Sequence, residues 1–256
     1  MVKLKKEHLE NVKHLFTFEN ETLVLSCLQG LMGEIYADDE INPACACAVI
    51  VNFAFLAGDS SHPEADKFVD CLTPFMEWFI VPQDEGWENV IKRRFGEDCG
   101  HFNRYAIKKD GDVFDREKLQ EYAENVPEGY EIVPFDENIY EIAKEEKWSC
   151  DFSKNVAPYE LFRRVAIGYA ALYNGELVAG ASTFSYFEGG IEIEIDTRED
   201  HQGKGLATAC GSRLILECLK RGLYPSWDAA TKISLSLAEK LGYHFSHEYI
   251  TYYVNL

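Results

Sequence analysis

The sequence has little positive charge. Its 256 residues include 25 lysines and arginines against 44 aspartates and glutamates, a formal net charge of −19. Binding to nucleic acid or to anionic lipid depends on clustered basic residues, which this composition does not favour. We therefore expect no nucleic-acid partner and no membrane partner. The charge is compatible with a cationic, amine-bearing partner, although an acidic surface also serves ordinary solubility.

Long apolar runs and an export signal are also missing. The longest apolar run, 44–56, is interrupted by Asn52 and is too short to span a bilayer. The first residues, MVKLKKEHLE, contain no apolar stretch after the lysines, so we expect no signal peptide. No low-complexity segment or fixed-period repeat is visible. These observations predict a soluble, cytoplasmic protein.

The chain has eight cysteines but no common metal-binding pattern among them. Cys45 and Cys47 are two positions apart, and neither a Cys-x-x-Cys pair nor a His-rich segment lies nearby. In a long chain without an export signal, reduced and buried thiols are the default. We expect no disulfide framework and no metal site. The cysteines are Cys27, Cys45, Cys47, Cys71, Cys99, Cys150, Cys210 and Cys218.

A boundary between two domains is predicted where proline, glycine and acids cluster, in ENVPEG at 124–129. It separates an N-terminal α/β domain, 1–126, from a second domain, 127–256. In the first domain Cys47–Leu56, CAVIVNFAFL, is rich in β-branched and aromatic residues and is predicted to be one buried strand. This domain carries no catalytic motif that we can name.

The second domain is predicted to contain three sequential strands followed by a helix. Asn174-Gly175 between two apolar runs is a strong hairpin signal, and a third strand begins at Ile191. A helix then runs from the glycines after Gln202 to Gly222, a natural residue to end it. The chain is therefore predicted to be α+β, with a mixed, mostly antiparallel sheet flanked by helices.

The stretch 191–207, IEIEIDTREDHQGKGLA, carries the functional signal. Isoleucines alternate with acids as in a strand, and Gln202-Gly203-Lys204-Gly205-Leu206-Ala207 then opens a helix. The first N–H groups of a helix have no intrahelical partner, and the helix dipole is positive there. Glycines let a ligand reach the backbone, because no Cβ stands in the way. A strand, a glycine loop and a helix together predict an anion site.

Four interpretations of this loop compete. A Walker loop needs GxxxxGK[ST], and that spacing does not occur here. A dinucleotide fingerprint needs a third glycine, and Thr208 stands in its place. An ordinary tight turn would also explain Gly203 and Gly205. The fourth interpretation is an acyl-CoA site.

The fourth interpretation is a resemblance to a family. The segment 202–207 resembles the Q/R-x-x-G-x-G/A motif of the GNAT superfamily of acyl-CoA-dependent N-acetyltransferases. The order of elements from Tyr130 onward is similar to the fold of that family. LAEKLGY at 237–243 resembles the family's final helix and the LGF or LGY residues that end it. The resemblance covers about half of the chain. With Trp227-Asp228 and Ser234, it extends to the branch of zwittermicin-resistance-type acetyltransferases, which also carry an N-terminal extension.

The resemblance implies a GNAT-like acyl-CoA N-acyltransferase fold, with acetyl-CoA as co-substrate and a small-molecule amine as acceptor. It places the pyrophosphate on the backbone of Gln202, Gly203, Lys204, Gly205, Leu206 and Ala207, with the charge of Lys204 at the rim. It pairs the pantetheine amides with Ile195, Asp196 and Thr197. Thr231 and Ser234 are expected to face the slot for the thioester.

The resemblance does not decide the catalytic residues. Glu192 and Glu194 are candidate general bases, but the family's usual position is occupied by Ile191, so both are out of phase unless a bulge shifts the register. A solvated strand face is the other interpretation. Ala238 stands where the family often has a tyrosine that protonates the leaving thiolate. Ser234 or Tyr243 could substitute for it, or the thiolate could leave unprotonated, since a thiol pKa is about 8.5.

A second class of function stays open, a non-catalytic CoA-binding or regulatory module. The N-terminal domain is expected to shape the substrate site or to form a homodimer, and a degenerate copy of the same sheet is one form it could take.

Overall fold

The computed structural model describes residues 1–18, 21–70, 72 and 77–255. Its helices and strands, in chain order, are β1 (Val2–Lys3), α1 (Leu9–Val12), α2 (Thr22–Leu28), β2 (Glu34–Ala37), β3 (Cys45–Ile50), β4 (Phe53–Gly58), α3 (Ala65–Asp70), β5 (Glu77–Pro82), α4 (Glu85–Phe95), β6 (Cys99–Ile107), α5 (Arg116–Glu124), β7 (Tyr130–Pro134), α6 (Glu137–Glu145), α7 (Tyr159–Val165), β8 (Gly168–Tyr173), β9 (Glu176–Phe187), β10 (Gly190–Thr197), α8 (Leu206–Arg221), β11 (Tyr224–Ser226), β12 (Asp228–Ala229), α9 (Lys232–Lys240) and β13 (Phe245–Asn255).

The backbone forms two compact units. The first is Met1–Arg104 together with Glu248–Leu256, and the second is Tyr105–His247. These units differ from the division at 126/127, because α5 packs within the second unit: Arg213 Nε on α8 donates to the carbonyl of Ala123, 3.4 Å away. As a boundary of function, the division at 126/127 stays a prediction.

The first unit is built on a meander, β2-β3-β4, whose neighbouring strands are antiparallel. The chain then passes through α3 to β5, which is parallel to β4, and on to α4. The prediction of one strand over Cys47–Leu56 is wrong: β3 and β4 form a hairpin, in which Ile50 pairs with Phe53. The turn holds Val51 at φ +55°, a conformation that β-branched residues rarely adopt and that the sequence did not suggest.

Both strands of this hairpin are almost entirely buried, so their apolar residues run on without alternation. One face is covered by α3 and α4, where the rings of Phe68 and Trp87 meet edge to face at 6.2 Å. Trp87 also donates its Nε1–H to the carbonyl of Gly58 at 2.9 Å. The end of β4 is thereby fixed to α4.

The second unit contains a five-stranded sheet in the order β11-β10-β9-β8-β7. Neighbouring strands are antiparallel except β10 and β11, which are parallel. The predicted turn at Asn174-Gly175 is confirmed, with φ +50° and +84° and Tyr173 paired with Glu176. The predicted α+β fold with a mixed, mostly antiparallel sheet is confirmed.

One face of this sheet is covered by α8. Its apolar stripe, which includes Cys210 and Leu214, packs against Ile191 and Ile193 of β10. As predicted, α8 ends before Gly222, whose φ of +70° closes the helix. Burial of these side chains fixes the start of α8 beside the end of β10.

The two units repeat one order of elements. In each, an antiparallel meander leads through a helix to a strand parallel to the last meander strand, and then to another helix. The matching series are β2-β3-β4-α3-β5-α4 and β8-β9-β10-α8-β11-α9, with the two-residue strand β12 inserted before α9 in the second. The connections β4–α3 and β10–α8 therefore hold equivalent places in their units.

Membrane-spanning helices and disulfides are both absent from the described residues. In the part that the structure describes, no helix has the length and apolar character needed to cross a bilayer. None of the seven described cysteines is in a disulfide, and the eighth, Cys71, lies outside the described residues.

Candidate active site

A gap opens in the sheet of the second unit at the end of β10. β10 pairs with β11 over three residues only, the last pair being Glu192 with Ser226. On its other side β10 stays paired with β9 up to Thr197. The chain after β11 turns away as β12, which pairs with Tyr105 and Ala106 of β6. Among the described residues no strand therefore lies beside Ile193–Thr197 on the β11 side.

The register between β9 and β10 shifts at the same point. Glu192 pairs with Ser185 and Ile193 with Thr183, so Phe184 is an extra residue on β9. Such a bulge changes the direction of neighbouring side chains and is common beside active sites. The extra residue lies on β9, so the count along β10 from Gln202 back to Glu192 is unchanged, and this bulge does not by itself bring Glu192 or Glu194 into phase.

Three buried polar side chains lie in a row where the strands part. Ser185, Glu192 and Ser226 are register partners on β9, β10 and β11, and they are 0%, 5% and 0% exposed. The Ser185 hydroxyl has no hydrogen-bond partner among the described residues. Burial first, and the Glu192 carboxylate second, raise the pKa of Tyr224 well above its ordinary value. Sequence alternation could not show this row, because it requires the neighbours and register of three strands.

The other two acids of β10 are more accessible. Glu194 is half-buried and Asp196 is exposed. Partial burial of its carboxylate raises the pKa of Asp196. The Thr197 N–H donates to this carboxylate at 2.6 Å and lowers the pKa by a smaller amount. Ile195, between them, points the other way: its Cδ1 would lie 3.2 Å from a Cβ at Gly211 on α8.

The glycine loop leaves its backbone open. Gly203 and Gly205 have φ of +73° and +83°, which L side chains rarely adopt, and a Cβ at either would meet no atom within 4 Å. Gly205 is the N-cap of α8 and offers no side chain to cap the helix. In the described chain, the N–H groups from Gly203 to Thr208 have no acceptor. These six donors at a helix N-terminus suit an anion.

The start of the loop is anchored by two side chains. Gln202 Nε2 donates to the carbonyl of Thr197 at 3.2 Å, which ties the loop to the end of β10. Buried His201 lies 3.0 Å from Arg198 Nη2 and 2.8 Å from the Tyr130 hydroxyl on β7. Since a guanidinium only donates, His201 Nε2 accepts and Nδ1 carries the hydrogen. His201 was not among the predicted site residues, although it directly precedes the loop.

Two lysines bring positive charge to the loop. Lys204 Nζ donates to the carbonyl of Asp200 at 2.7 Å. Lys240 Nζ donates to the hydroxyl of Thr208, in the first turn of α8, at 3.2 Å and lies 5.0 Å from the centre of the Tyr122 ring. Within the described ranges neither lysine forms a salt bridge, so both keep their charge available to an anion.

The predicted residues of α9 have local structural roles. The Thr231 hydroxyl accepts a hydrogen bond from the Ser234 N–H at 3.1 Å and caps the helix. The Ser234 hydroxyl accepts from Trp227 Nε1 at 3.1 Å. Because Trp227 directly follows Ser226, Ser234 is tied to the point where β11 leaves β10.

Comparison with known proteins identifies the family. The family model for GNAT acetyltransferases matches residues 13–252. The chain belongs to the GNAT acetyltransferase family. The match covers most of both units, so the first unit is part of this GNAT protein and not an unrelated addition.

Individual relatives match most of the chain. A GCN5-related N-acetyltransferase-like protein from Streptococcus suis 89/1591 is 42% identical and has a TM-score of 0.89, with 96% of this chain and 98% of that one covered. An uncharacterized N-acetyltransferase, YdfB, of Bacillus subtilis (strain 168) is 26% identical over 98% of this chain and 97% of its own. A GCN5-related N-acetyltransferase from Kribbella flavida, 13% identical, shares the fold with a TM-score of 0.55 over 82% of this chain and 86% of that one.

The position at which GNAT proteins often have a tyrosine is filled differently here. Ala238 is fully buried in the core. Tyr243 is buried too, and its hydroxyl donates to the carbonyl of Pro225 at 2.5 Å. Burial raises the pKa of Tyr243 well above its ordinary value. Tyr243 is therefore engaged in the core and poorly placed to give a proton to a leaving group.

Proposed function

We propose that the protein transfers an acetyl group from acetyl-CoA to an amine of a small molecule. One observation carries the proposal: β10 separates from β11 at Glu192 and Ser226, directly before the glycine loop that opens α8. The unpaired edge of β10 suits the pantetheine amides, and the N-terminus of α8, whose N–H groups have no acceptor among the described residues, suits the diphosphate.

The diphosphate would lie on the N–H groups of the glycine loop, 202–207, with Lys204 and Lys240 supplying charge. The pantetheine amides would pair with the open edge of Ile195–Thr197, as an added strand does. The thioester would then lie near Glu192, where the gap begins. Thr231 and Ser234 stay predictions for this site, since their observed contacts are with the protein itself.

The reaction requires a neutral amine. Its nitrogen attacks the thioester carbonyl carbon, the carbon–sulfur bond breaks, and the amine proton passes to a base. We assign this role to Glu192, which is buried in the row with Ser185 and Ser226, and keep Glu194 as the competing candidate. With Tyr243 engaged in the core, CoA would leave as the thiolate, which is tolerable because a thiol pKa is about 8.5.

The acceptor would be cationic before it loses its proton. Glu192, Glu194 and Asp196 occupy alternate positions of β10, and the chain carries a net charge of −19. Negative charge along the gap attracts an ammonium group and raises its local concentration. The relationship to zwittermicin-resistance-type acetyltransferases stays a prediction, and amino-bearing antibiotics belong among the amines tested. A cytoplasmic location is part of this proposal.

The first unit would bind no second CoA. Its strands β4 and β5 are paired from Phe53 to Leu56, and the N–H of Gln83 continues the contact to the Leu56 carbonyl at 3.1 Å. No gap therefore opens between them among the described residues, and the connection to α3 has no glycine loop. This supports a degenerate copy that serves the second unit, by shaping the acceptor site or by forming a homodimer.

The test combines binding and turnover. Calorimetry should find one acetyl-CoA per chain, and release of free thiol should depend on the amine added from a broad panel, with mass spectrometry identifying the acetylated product. Binding without amine-dependent thiol release would instead support the non-catalytic CoA-binding or regulatory module. No binding at all would refute both.

A further inference from the structure

Three potential metal ligands meet at one edge of the sheet in the first unit. Asp38 follows the end of β2, Cys45 begins β3, and His62 lies after the end of β4. Because these strands are antiparallel neighbours, with Ala37 paired to Ala46 and Cys45 to Gly58, the three chain ends arrive at the same edge. The sequence could not show this, since the residues are far from any common ligand spacing.

The donor atoms are close together. A carboxylate oxygen of Asp38, the Sγ of Cys45 and a ring nitrogen of His62 all lie within 4.8 Å of one another. His62 Nε2 is 3.6 Å from Asp38 Oδ2. Ligand atoms around tetrahedral zinc are about 3.3 to 3.8 Å apart, given bonds of about 2.0 to 2.3 Å. A contraction of about 1 Å would complete such a site.

The surroundings hold these donors in place. Asp38 Oδ1 accepts the N–H groups of Ala44 and Cys45, each at 2.9 Å, which leaves Oδ2 directed at the cluster. Cys45 is fully buried, and a Cβ at Gly58 would come within 2.9 Å of its Cα, so the strands are locked together here. The Asp38 side chain is 8% exposed and the His62 side chain is 28% exposed. An ion would therefore reach the cluster from the side of His62.

The place in the fold is equivalent to that of the glycine loop. The loop joins β10 to α8, and His62 lies on the matching connection from β4 to α3. In the first unit this connection carries Asp59 and Glu64, and Glu64 is ion-paired with the N-terminal ammonium and with Lys67. Acids at this point would repel a diphosphate and attract a cation. Where the connection in the second unit has glycines and Lys204, the connection in the first unit thus has carboxylates.

We propose that Asp38, Cys45 and His62 bind a divalent transition-metal ion, with zinc the best match to one sulfur, one nitrogen and one oxygen donor. The fourth position would be taken by water, as these three are the protein donors that the described residues bring together. This proposal does not depend on acetyl transfer or on CoA binding.

Binding of the metal ion requires that the Cys45 thiol lose its proton and that His62 Nε2 be free of hydrogen. The thiol of Cys45 loses its proton to solvent, so one proton is released per ion bound. The N–H of Glu64 donates to His62 Nδ1 at 3.3 Å, so in the metal-free chain Nε2 carries the ring hydrogen. Coordination through Nε2 moves that hydrogen to Nδ1 and breaks this long contact, at a cost to affinity.

The test uses the full chain, reduced and freed of metal with a chelator that is then removed. One equivalent of Co²⁺ should give cobalt–thiolate charge-transfer absorption and the visible bands of tetrahedral cobalt, and Zn²⁺ should abolish both. Cys45→Ser should lose the charge-transfer band. Cys47→Ser, at the next buried cysteine of β3, is the matched control and should keep it.

Asp38→Asn separates coordination from folding. The asparagine keeps Oδ1 to accept the two N–H groups but loses the charge, so Zn²⁺ affinity should fall at least tenfold while the metal-free melting temperature changes little. The proposal is overturned if the wild-type chain takes up no stoichiometric Co²⁺ or Zn²⁺, or if its cobalt spectrum is the same in Cys45→Ser. Either result would make the cluster a hydrogen-bonded lock between strands.

Discussion

The glycine loop can be tested by adding charge to it. Gly205→Glu places a carboxylate at the N-cap of α8, beside six N–H groups that have no acceptor in the described chain. Space is not limiting, since a Cβ there meets nothing within 4 Å. The side chain would occupy the position proposed for the diphosphate of CoA and would repel it.

The magnitude follows from Coulomb's law and the backbone. A carboxylate about 5 Å from one phosphate charge costs about 3 kcal/mol at an effective dielectric of 20, about two orders of magnitude in Kd. A non-glycine residue at φ +83° costs about 1 to 2 kcal/mol of stability. A negative charge at a helix N-terminus returns about 0.3 to 1 kcal/mol. The variant should therefore fold, slightly destabilised, and lose CoA.

Gly222→Glu is the matched control at the other end of α8. Gly222 has φ +70° and equally open surroundings, so the backbone cost is similar. A carboxylate at the C-terminus of a helix is unfavourable, so this variant should melt lower than Gly205→Glu. Its Kd for acetyl-CoA, measured by calorimetry, should nevertheless match the wild type. The loop assignment fails if Gly205→Glu binds within threefold of the wild type.

The remaining predictions concern single side chains. Glu192→Gln should lower kcat about a hundredfold without changing the Kd of acetyl-CoA, whereas Glu194→Gln should stay within about threefold; the reverse order would assign the base to Glu194. His201→Phe keeps a ring but loses two hydrogen bonds of about 1 kcal/mol each, so the Kd of acetyl-CoA should rise by up to about thirtyfold. An unchanged Kd would show that the anchor is dispensable. Burial raises the pKa of Cys210 to about 12, so iodoacetamide at pH 8 should leave it intact while half-buried Cys150 reacts, as peptide mass spectrometry would report.

Local signals in the sequence were reliable where one short segment determines the structure. Asn174-Gly175 gave its turn because both residues tolerate positive φ, and Gly222 ended α8 for the same reason. The hairpin of β3 and β4 was missed because its turn residue, Val51, is β-branched and disfavours the conformation it adopts. Packing on both faces of these strands overrides that local preference.

The parts of both sites that were missed depend on register. Ser185 and Ser226 join Glu192 only because three strands align, and one of them contains a bulge. Asp38 and His62 reach Cys45 through the order of a meander. Residue type and spacing along the chain do not encode such neighbours, whereas the glycine loop is contiguous and could be read directly.

The half-paired strand β10 also bears on how the protein behaves without the coenzyme proposed for it. Its open side from Ile193 to Thr197 is a sheet edge, and exposed edges are templates for pairing with other chains. Glu194 and Asp196 place charge on that edge, a common protection against aggregation. Coenzyme bound as an added strand would cover it. Solubility during purification and storage should therefore improve with CoA present, even when no acceptor is supplied.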